Sequence, residues 1–159
     1  TTIHSLTSDQ RILDNSHKDP RRARSAGQSI VPTTTGASKS IGEIIPSLID
    51  KLEGIAIRVP THNVSLIEFV FVTQKPISKE KINKSFIQAS KKELKNILEI
   101  TTEKLVSIDF NHNSSSAIID TSLTSILGKN MGKISAWYDN EWGFSNRMCD
   151  IVEHIHKIS

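Results

Sequence analysis

The ten residues Val64–Thr73, VSLIEFVFVT, restrict the fold more than any other stretch of the chain. Their β-branched and aromatic content reads as a strand. One face carries Val64, Leu66, Val70 and Val72, and the other carries Ile67, Phe69 and Phe71. Apolar residues on both faces describe a central strand covered on both sides. Helices of this chain are expected to cover one face and a partner subunit the other. Further strands are expected at Thr1–Leu6, Ile30–Thr33, Ile55–Val59, Ala117–Asp120, Thr124–Leu127 and Met131–Asn140. Helices are expected at Ala37–Ile45, stopped near Pro46, at Lys79–Ser90 behind an N-capping Ser78, and at Glu93–Leu98. A last helix spans Glu141–Ile155, with Phe144, Met148, Ile151, Val152 and Ile155 in one stripe. Arg21–Gln28 reads as a helical turn, and Thr101–Phe110 as extended or irregular. Strands and helices mix without strict alternation. The expected class is α+β, a mixed, largely antiparallel sheet with helices on one face and the other face toward a partner subunit.

Length and charge narrow the function. The 159 residues suit about one domain. The formal charge of +3 comes from scattered lysines and arginines, which argues for anionic small molecules and against nucleic acid. The single cysteine, Cys149, excludes an internal disulfide and fits a reducing compartment, hence the cytoplasm. It lies on the last helix between Met148 and the core-facing Ile151, so a buried structural thiol is expected rather than a nucleophile. No apolar run approaches ~18 residues, so no membrane span is expected. His154 and His156 stand two apart on a helix and do not share a face, so surface imidazoles are expected and no metal site. Thr1–Leu6 reads as a strand without any lead-in, as in a domain cut from a longer protein.

The chemistry gathers around Ile30–Ile45, IVPTTTGASKSIGEII: a strand, a tight turn and a helix start. Threonine hydroxyls, backbone N–H groups and the positive end of a helix converge there, which suits an oxyanion such as phosphate. Gly36 allows close backbone approach and unusual dihedrals. The same pattern also serves as a polar cap on a buried helix. Arg21, Arg22 and Arg24 precede the turn and Arg58 ends a strand. Arginine clamps oxyanions with paired donors, whereas a lone surface arginine makes an ion pair worth under about 1 kcal/mol. His4, near the end of the first strand beside Thr7 and Asp9, has the pKa range of a general base. A strand histidine hydrogen-bonded to backbone is the alternative.

Six stretches together closely resemble the C-terminal catalytic domain of the glyceraldehyde-3-phosphate dehydrogenase family: TTIHSLTSDQ at Thr1, HKDPRRARSA at His17, IVPTTTGASKS at Ile30, GIAIRVPTHNVS at Gly54, VSIDFNHNSSSAIID at Val106 and SAWYDNEWGFSNR at Ser135. The likeness runs along essentially the whole chain. The related erythrose-4-phosphate dehydrogenases share most of these motifs, though their threonine turn is less similar. The resemblance implies a phosphorylating, NAD-dependent aldehyde oxidation through a thioester, a step of glycolysis. It implies that His4 is the catalytic histidine. Thr7 and Arg58 would hold the phosphate of glyceraldehyde 3-phosphate, with Asp9 beside them. Thr35, Gly36 and Arg22 would hold the attacking inorganic phosphate. Asn140 would hold the nicotinamide carboxamide of NAD, and Phe144 would stack where many members carry tyrosine. It further implies a homotetramer, a Rossmann NAD-binding domain and a nucleophilic cysteine upstream of Thr1, so residues 1–159 are expected to be inactive alone. A non-catalytic assembly module that binds anions incidentally is the reading from another class.

Overall fold

Short strands rich in apolar residues form two groups in this chain. The computed structural model describes residues 1–158, apart from the side chains of 38 and 39, and divides into residues Thr1–His62 and Asn63–Ser159. In the first unit, β1 (Thr2–His4), β2 (Val31–Thr34) and β3 (Ile55–Arg58) form the order β2-β3-β1. β2 and β3 run antiparallel, with Val31 opposite Arg58 and Thr34 opposite Ile55. β1 and β3 run parallel, placing His4 opposite Arg58. Helix α1 (Ala37–Ile44) follows the threonine turn, and a 3-10 turn at Pro46–Leu48 ends it where proline forbids continuation.

In the second unit, β4 (Ser65–Val72), β5 (Leu98–Thr101), β6 (Ala117–Asp120), β7 (Ser125–Leu127) and β8 (Met131–Tyr138) form a mixed sheet. β8 pairs antiparallel with β4, β6 and β7, while β5 and β6 run parallel. Helix α2 (Lys79–Lys91) is capped by Ser78, whose hydroxyl accepts from Lys81 N–H at 3.3 Å. Its stripe of Ile82, Phe86 and Ala89 packs on Leu98, Ile119, Ile134 and Ala136. Phe71 belongs to the same cluster and lies over Gly132, where a Cβ would stand 2.5 Å from the ring; only glycine leaves room for it. On the opposite face Val64, Phe110 and Ile118 form a second small core against Leu105 and Trp137. Helix α3 (Trp142–Ile158) closes the chain. Among the described residues no helix is long and apolar enough to cross a membrane.

The architecture is therefore α+β with a mixed, largely antiparallel arrangement, as the residue pattern predicts. Several local expectations differ. Glu93–Leu98 is not a helix: residues 92–97 form turns, Asn96 takes φ +65°, and Leu98 is already in β5. Arg21–Gln28 forms turns and bends rather than a helical turn. The helices of this chain leave residues of both β4 faces exposed, Val70 and Val72 on one and Ile67 and Phe69 on the other, so the face expected to be covered by them is covered only in part. The stripe of α3 is likewise exposed at Phe144, Met148, Ile151, Val152 and Ile155, and Cys149 among them is exposed rather than buried. One helix, α2, supplies the apolar cover that the chain itself provides, and it reaches only the Phe71 end of β4.

Candidate functional site

In the first unit the parallel register of β1 and β3 brings two sequence-distant groups together. Arg58 Nη1 lies 2.5 Å from His4 Nδ1 and donates to Ser5 C=O at 3.4 Å. Nδ1 also lies 2.9 Å from that carbonyl. A guanidinium can only donate and a carbonyl can only accept. Nδ1 thus has a partner in either tautomer: bare, it receives Arg58; protonated, it donates to Ser5. The tautomer with Nε2 bare is the one whose Nδ1–H donates to Ser5, and in it Arg58 Nη1 must draw back, because two donors repel. Partial burial pushes the imidazole pKa below its ordinary 6.5, the Ser5 carbonyl opposes this, and the Arg58 charge adds to the lowering. The ring is neutral near pH 7, the form a general base needs.

Thr7 and Gln10 close a tight turn directly after β1. Gln10 N–H donates to Thr7 C=O at 3.0 Å, and Thr7 N–H donates to Gln10 Oε1 at 3.2 Å. Asp9, at the exposed tip, is bonded by Arg22 Nη1 and lies 3.3 Å from His17 Nε2. The bonds from His17 and then Arg22 hold its carboxyl below the usual carboxylate range. Arg22 Nε also lies 3.5 Å from Asp19. Two carboxylates thus engage Arg22 at once, and the structure groups it with Asp9 rather than with the threonine turn.

At that turn the Thr35 hydroxyl accepts from Ala37 N–H at 3.2 Å, leaving its own proton to donate. Gly36 sits at φ −84°, ψ −6°, ordinary right-handed backbone, so the expected unusual dihedral is not there. A Cβ on Gly36 would meet nothing within 4 Å; what glycine leaves is open space over the first turn of α1. A cavity of about 560 Å³ opens here between Pro32–Thr35, Glu53–Ile55, Asp19 and Arg21. His4, Arg58 and Arg22 are not among its walls. Arg21 is the cation that lines it, with two carboxylates nearby.

The second unit carries Asn140 and Phe144 at the junction of β8 and α3. Asp139 organises this junction. Its Oδ1 accepts from Trp142 N–H at 2.8 Å and Glu141 N–H at 3.2 Å, which caps α3. Its Oδ2 accepts from Asn63 Nδ2 at 2.7 Å and His112 N–H at 2.9 Å. Burial pushes the Asp139 carboxyl up, but these four bonds together outweigh it and hold the group below 3.8. Ser65 Oγ donates to Asn140 Oδ1 at 2.6 Å. Phe144, on the first turn of α3, is 67% exposed, and Trp142 beside it faces the His112 ring at 5.0 Å between centroids. Arg21 belongs to the arginine cluster read from the sequence, whereas nothing in the sequence analysis points to Ser5, Ser65 or Asp139. Of these three only Asp139 carries a signal that could have been read, an aspartate three residues before the first helical Trp142.

Comparison with known proteins gives the family. The model of the family "Glyceraldehyde 3-phosphate dehydrogenase, C-terminal domain" matches residues 1–140. "Glyceraldehyde-3-phosphate dehydrogenase 2" of Staphylococcus aureus is 50% identical over 155 residues, 98% of this chain and 45% of the relative. The Staphylococcus epidermidis protein of the same name is 46% identical over 158 residues, 99% of this chain and 46% of its own. "Glyceraldehyde-3-phosphate dehydrogenase GAPA1, chloroplastic" of Arabidopsis thaliana is 50% identical over 155 residues, 98% of this chain and 39% of its own. The chain spans less than half the length of these curated relatives. It belongs to the glyceraldehyde-3-phosphate dehydrogenase family, as a C-terminal domain of that family.

Proposed function

We propose that this chain is the catalytic half of a phosphorylating, NAD-dependent glyceraldehyde-3-phosphate dehydrogenase. The observation that carries the reading, beside family membership, is the His4–Arg58 pair set in register on neighbouring strands. The nucleophile in this reading is a cysteine thiolate from outside residues 1–159, together with a Rossmann domain that holds most of the cofactor. His4 Nε2 takes the thiol proton while Nδ1–H is held by the Ser5 carbonyl, and returns it as the reaction turns over. Arg58 and Thr7, with Asp9 alongside, grip the phosphate of glyceraldehyde 3-phosphate. Thr35 and the backbone at Gly36 receive the attacking phosphate, and Arg22 joins them by exchanging a carboxylate partner for the anion. The residues at Asn140 suit a nicotinamide: the Asn140 amide is hydrogen-bonded by Ser65, and Phe144, four residues on, is an exposed ring with a face for stacking. NAD, when bound, supplies the hydride acceptor.

The test is NADH formation by the full reading frame that encodes this chain. It should require glyceraldehyde 3-phosphate, NAD and inorganic phosphate together. Faster turnover of erythrose 4-phosphate would move the assignment to that substrate. No turnover of either would leave the assembly-module reading, and unchanged activity in His4→Ala would remove the role given to His4.

The exposed apolar faces of β4 and α3 support self-association, as in a tetramer. Sedimentation of the isolated chain at tens of micromolar should show oligomers, and a clean monomer would count against it.

A further inference from the structure

Along the chain the basic residues look dispersed, but one face of the second unit collects them. Residues 75–95 hold seven lysines and two glutamates, an excess of five in a chain whose total charge is +3. The spacing i, i+3, i+10 sets Lys81, Lys84 and Lys91 on one side of α2, away from the Ile82, Phe86 and Ala89 stripe that packs on the core. Lys92 and Lys95 continue the row past the helix end. All five are exposed, and none meets a carboxylate among the described residues. The helix itself does not require them. Cations suit the last turn of a helix, but Lys81 stands in the first, and Lys84 one turn on repels it.

The row ends at a cavity of about 410 Å³ between the end of α2, the turns at 92–97 and β5. Lys91 and Lys95 stand in its wall, and Ile87, Leu98 and Ile100 give it an apolar lining. The carboxylate in that wall, Glu99, is turned to Asn113 Nδ2 at 2.9 Å and Ser115 Oγ at 3.3 Å, which both donate to it. Ligand pockets run from roughly 300 to 1,000 Å³, so this one has room for one or two side chains. β5 beside it is the outermost strand of its sheet, paired with β6 alone among the described residues, and its main chain presents an open edge. We propose that this face docks an extended acidic segment of another protein, with carboxylates along the lysine row and one apolar side chain in the cavity. Other polyanions match less of what is there. Single-stranded nucleic acid is held by aromatic rings under its bases, and Phe86, the aromatic residue of α2, is turned to the core. An anionic membrane takes up an apolar helix face, and that of α2 is packed on Leu98, Ile119, Ile134 and Ala136. A peptide uses all three features: lysines for charge, cavity for an anchor, strand edge for main chain.

The probe is a fluorescein-labelled peptide of about ten residues, all glutamate except one central leucine, a length that spans the row and the cavity. Anisotropy follows its binding to the protein of the full reading frame. Binding should weaken about fivefold between about 50 and about 200 mM salt, as screening shortens the reach of the lysines. Exchange of the peptide's leucine for serine should weaken it about fivefold, the scale of one partly buried side chain. A variant carrying Lys84→Glu, Lys91→Glu and Lys95→Glu should lose at least about tenfold with an unchanged circular dichroism spectrum. If that variant does not fold, Lys91→Gln with Lys95→Gln should still lose about threefold. No saturable binding of the leucine peptide, equal binding of the serine peptide, or equal binding by the lysine variant overturns the proposal. Tighter binding of an oligothymidine of the same length, or of phosphatidylglycerol vesicles, overturns it as well and gives the face to a nucleic acid or a membrane.

Discussion

Asp139→Ala should cost this protein about 3–5 kcal/mol, enough to unfold much of the second unit at ambient temperature. The estimate follows from what the substitution strands. Asp139 is 2% exposed and accepts from Asn63, His112, Glu141 and Trp142. Loss of the cap on α3 accounts for about 1 kcal/mol. Asn63 Nδ2 and His112 N–H lose a charged acceptor in a half-buried place, at about 1–3 kcal/mol for each donor left unmade. Glu141 and Trp142 are near solvent, so water replaces part of what they lose. The strained backbone at Val64 (φ +65°) and His112 (φ +62°) keeps other anchors, the Asn63–Asn111 bond, the Phe110 and Ile118 contacts of Val64 and the Trp142 ring beside His112, so only part of it should relax. Asp139→Asn keeps one acceptor and should cost less, about 1–2 kcal/mol. The urea midpoint of each variant measures this, and a midpoint equal to that of the unmodified chain would remove Asp139 from its structural role. The carboxyl is held below 3.8 in the folded protein. It therefore contributes stability that is complete above that pH and lost as pH falls below 3.8 through the folded value. The midpoint of the unmodified chain should fall between pH 5 and pH 3 by more than that of Asp139→Asn. Asp9 and Asp14 shift in the same direction, but both are exposed and solvent screens what they add.

What could be read from residues alone divides along physical lines. β4, β8 and α2 are legible because local pattern and pairing agree: β4 and β8 pair along their length, and the serine cap and 3.6-residue stripe of α2 meet the helix start and the core they require. Glu93–Leu98 is not. Its lysines, glutamate and leucine favour a helix, but Asn96 in the left-handed region turns the chain into β5, and the pairing of Leu98 with Ala117 decides the matter over a distance that propensity does not see. The stripe on α3 shows a different limit. Amphipathicity reports that a face is apolar and says nothing about what covers it, so Cys149 was assigned a core that the chain does not provide. In the candidate site, the residues carried by motif, His4, Arg58, Thr35 and Asn140, stand out in the sequence. Those that orient them do not, because Ser5 acts through its carbonyl and Ser65 and Asp139 through partners dozens of positions away.

If Arg58 grips the substrate phosphate as proposed, Arg58→Ala in the protein of the full reading frame should weaken the binding of glyceraldehyde 3-phosphate by about 2–5 kcal/mol, as for truncation of one member of a partly buried charge pair. The same substitution should raise the pKa of His4, because the guanidinium beside Nδ1 opposes protonation of the ring. These effects separate two roles of one residue. Arg58→Lys keeps the charge without the fork, so it should recover most of the lowered His4 pKa and little of the substrate affinity. Proton NMR titration of His4 and the KM for substrate read the two independently. Stability supplies a third readout with its sign fixed by the direction of the shift. A histidine whose folded pKa lies below 6.5 binds fewer protons folded than unfolded just under that pH, so its penalty is absent above 6.5 and grows as pH falls toward the folded value. Arg58→Ala moves the folded value back toward 6.5 and should flatten the stability profile across that window. A His4 titration and a KM both unmoved by Arg58→Ala would dissolve the pair as a functional unit, leaving only the register of β1 and β3 to account for their contact.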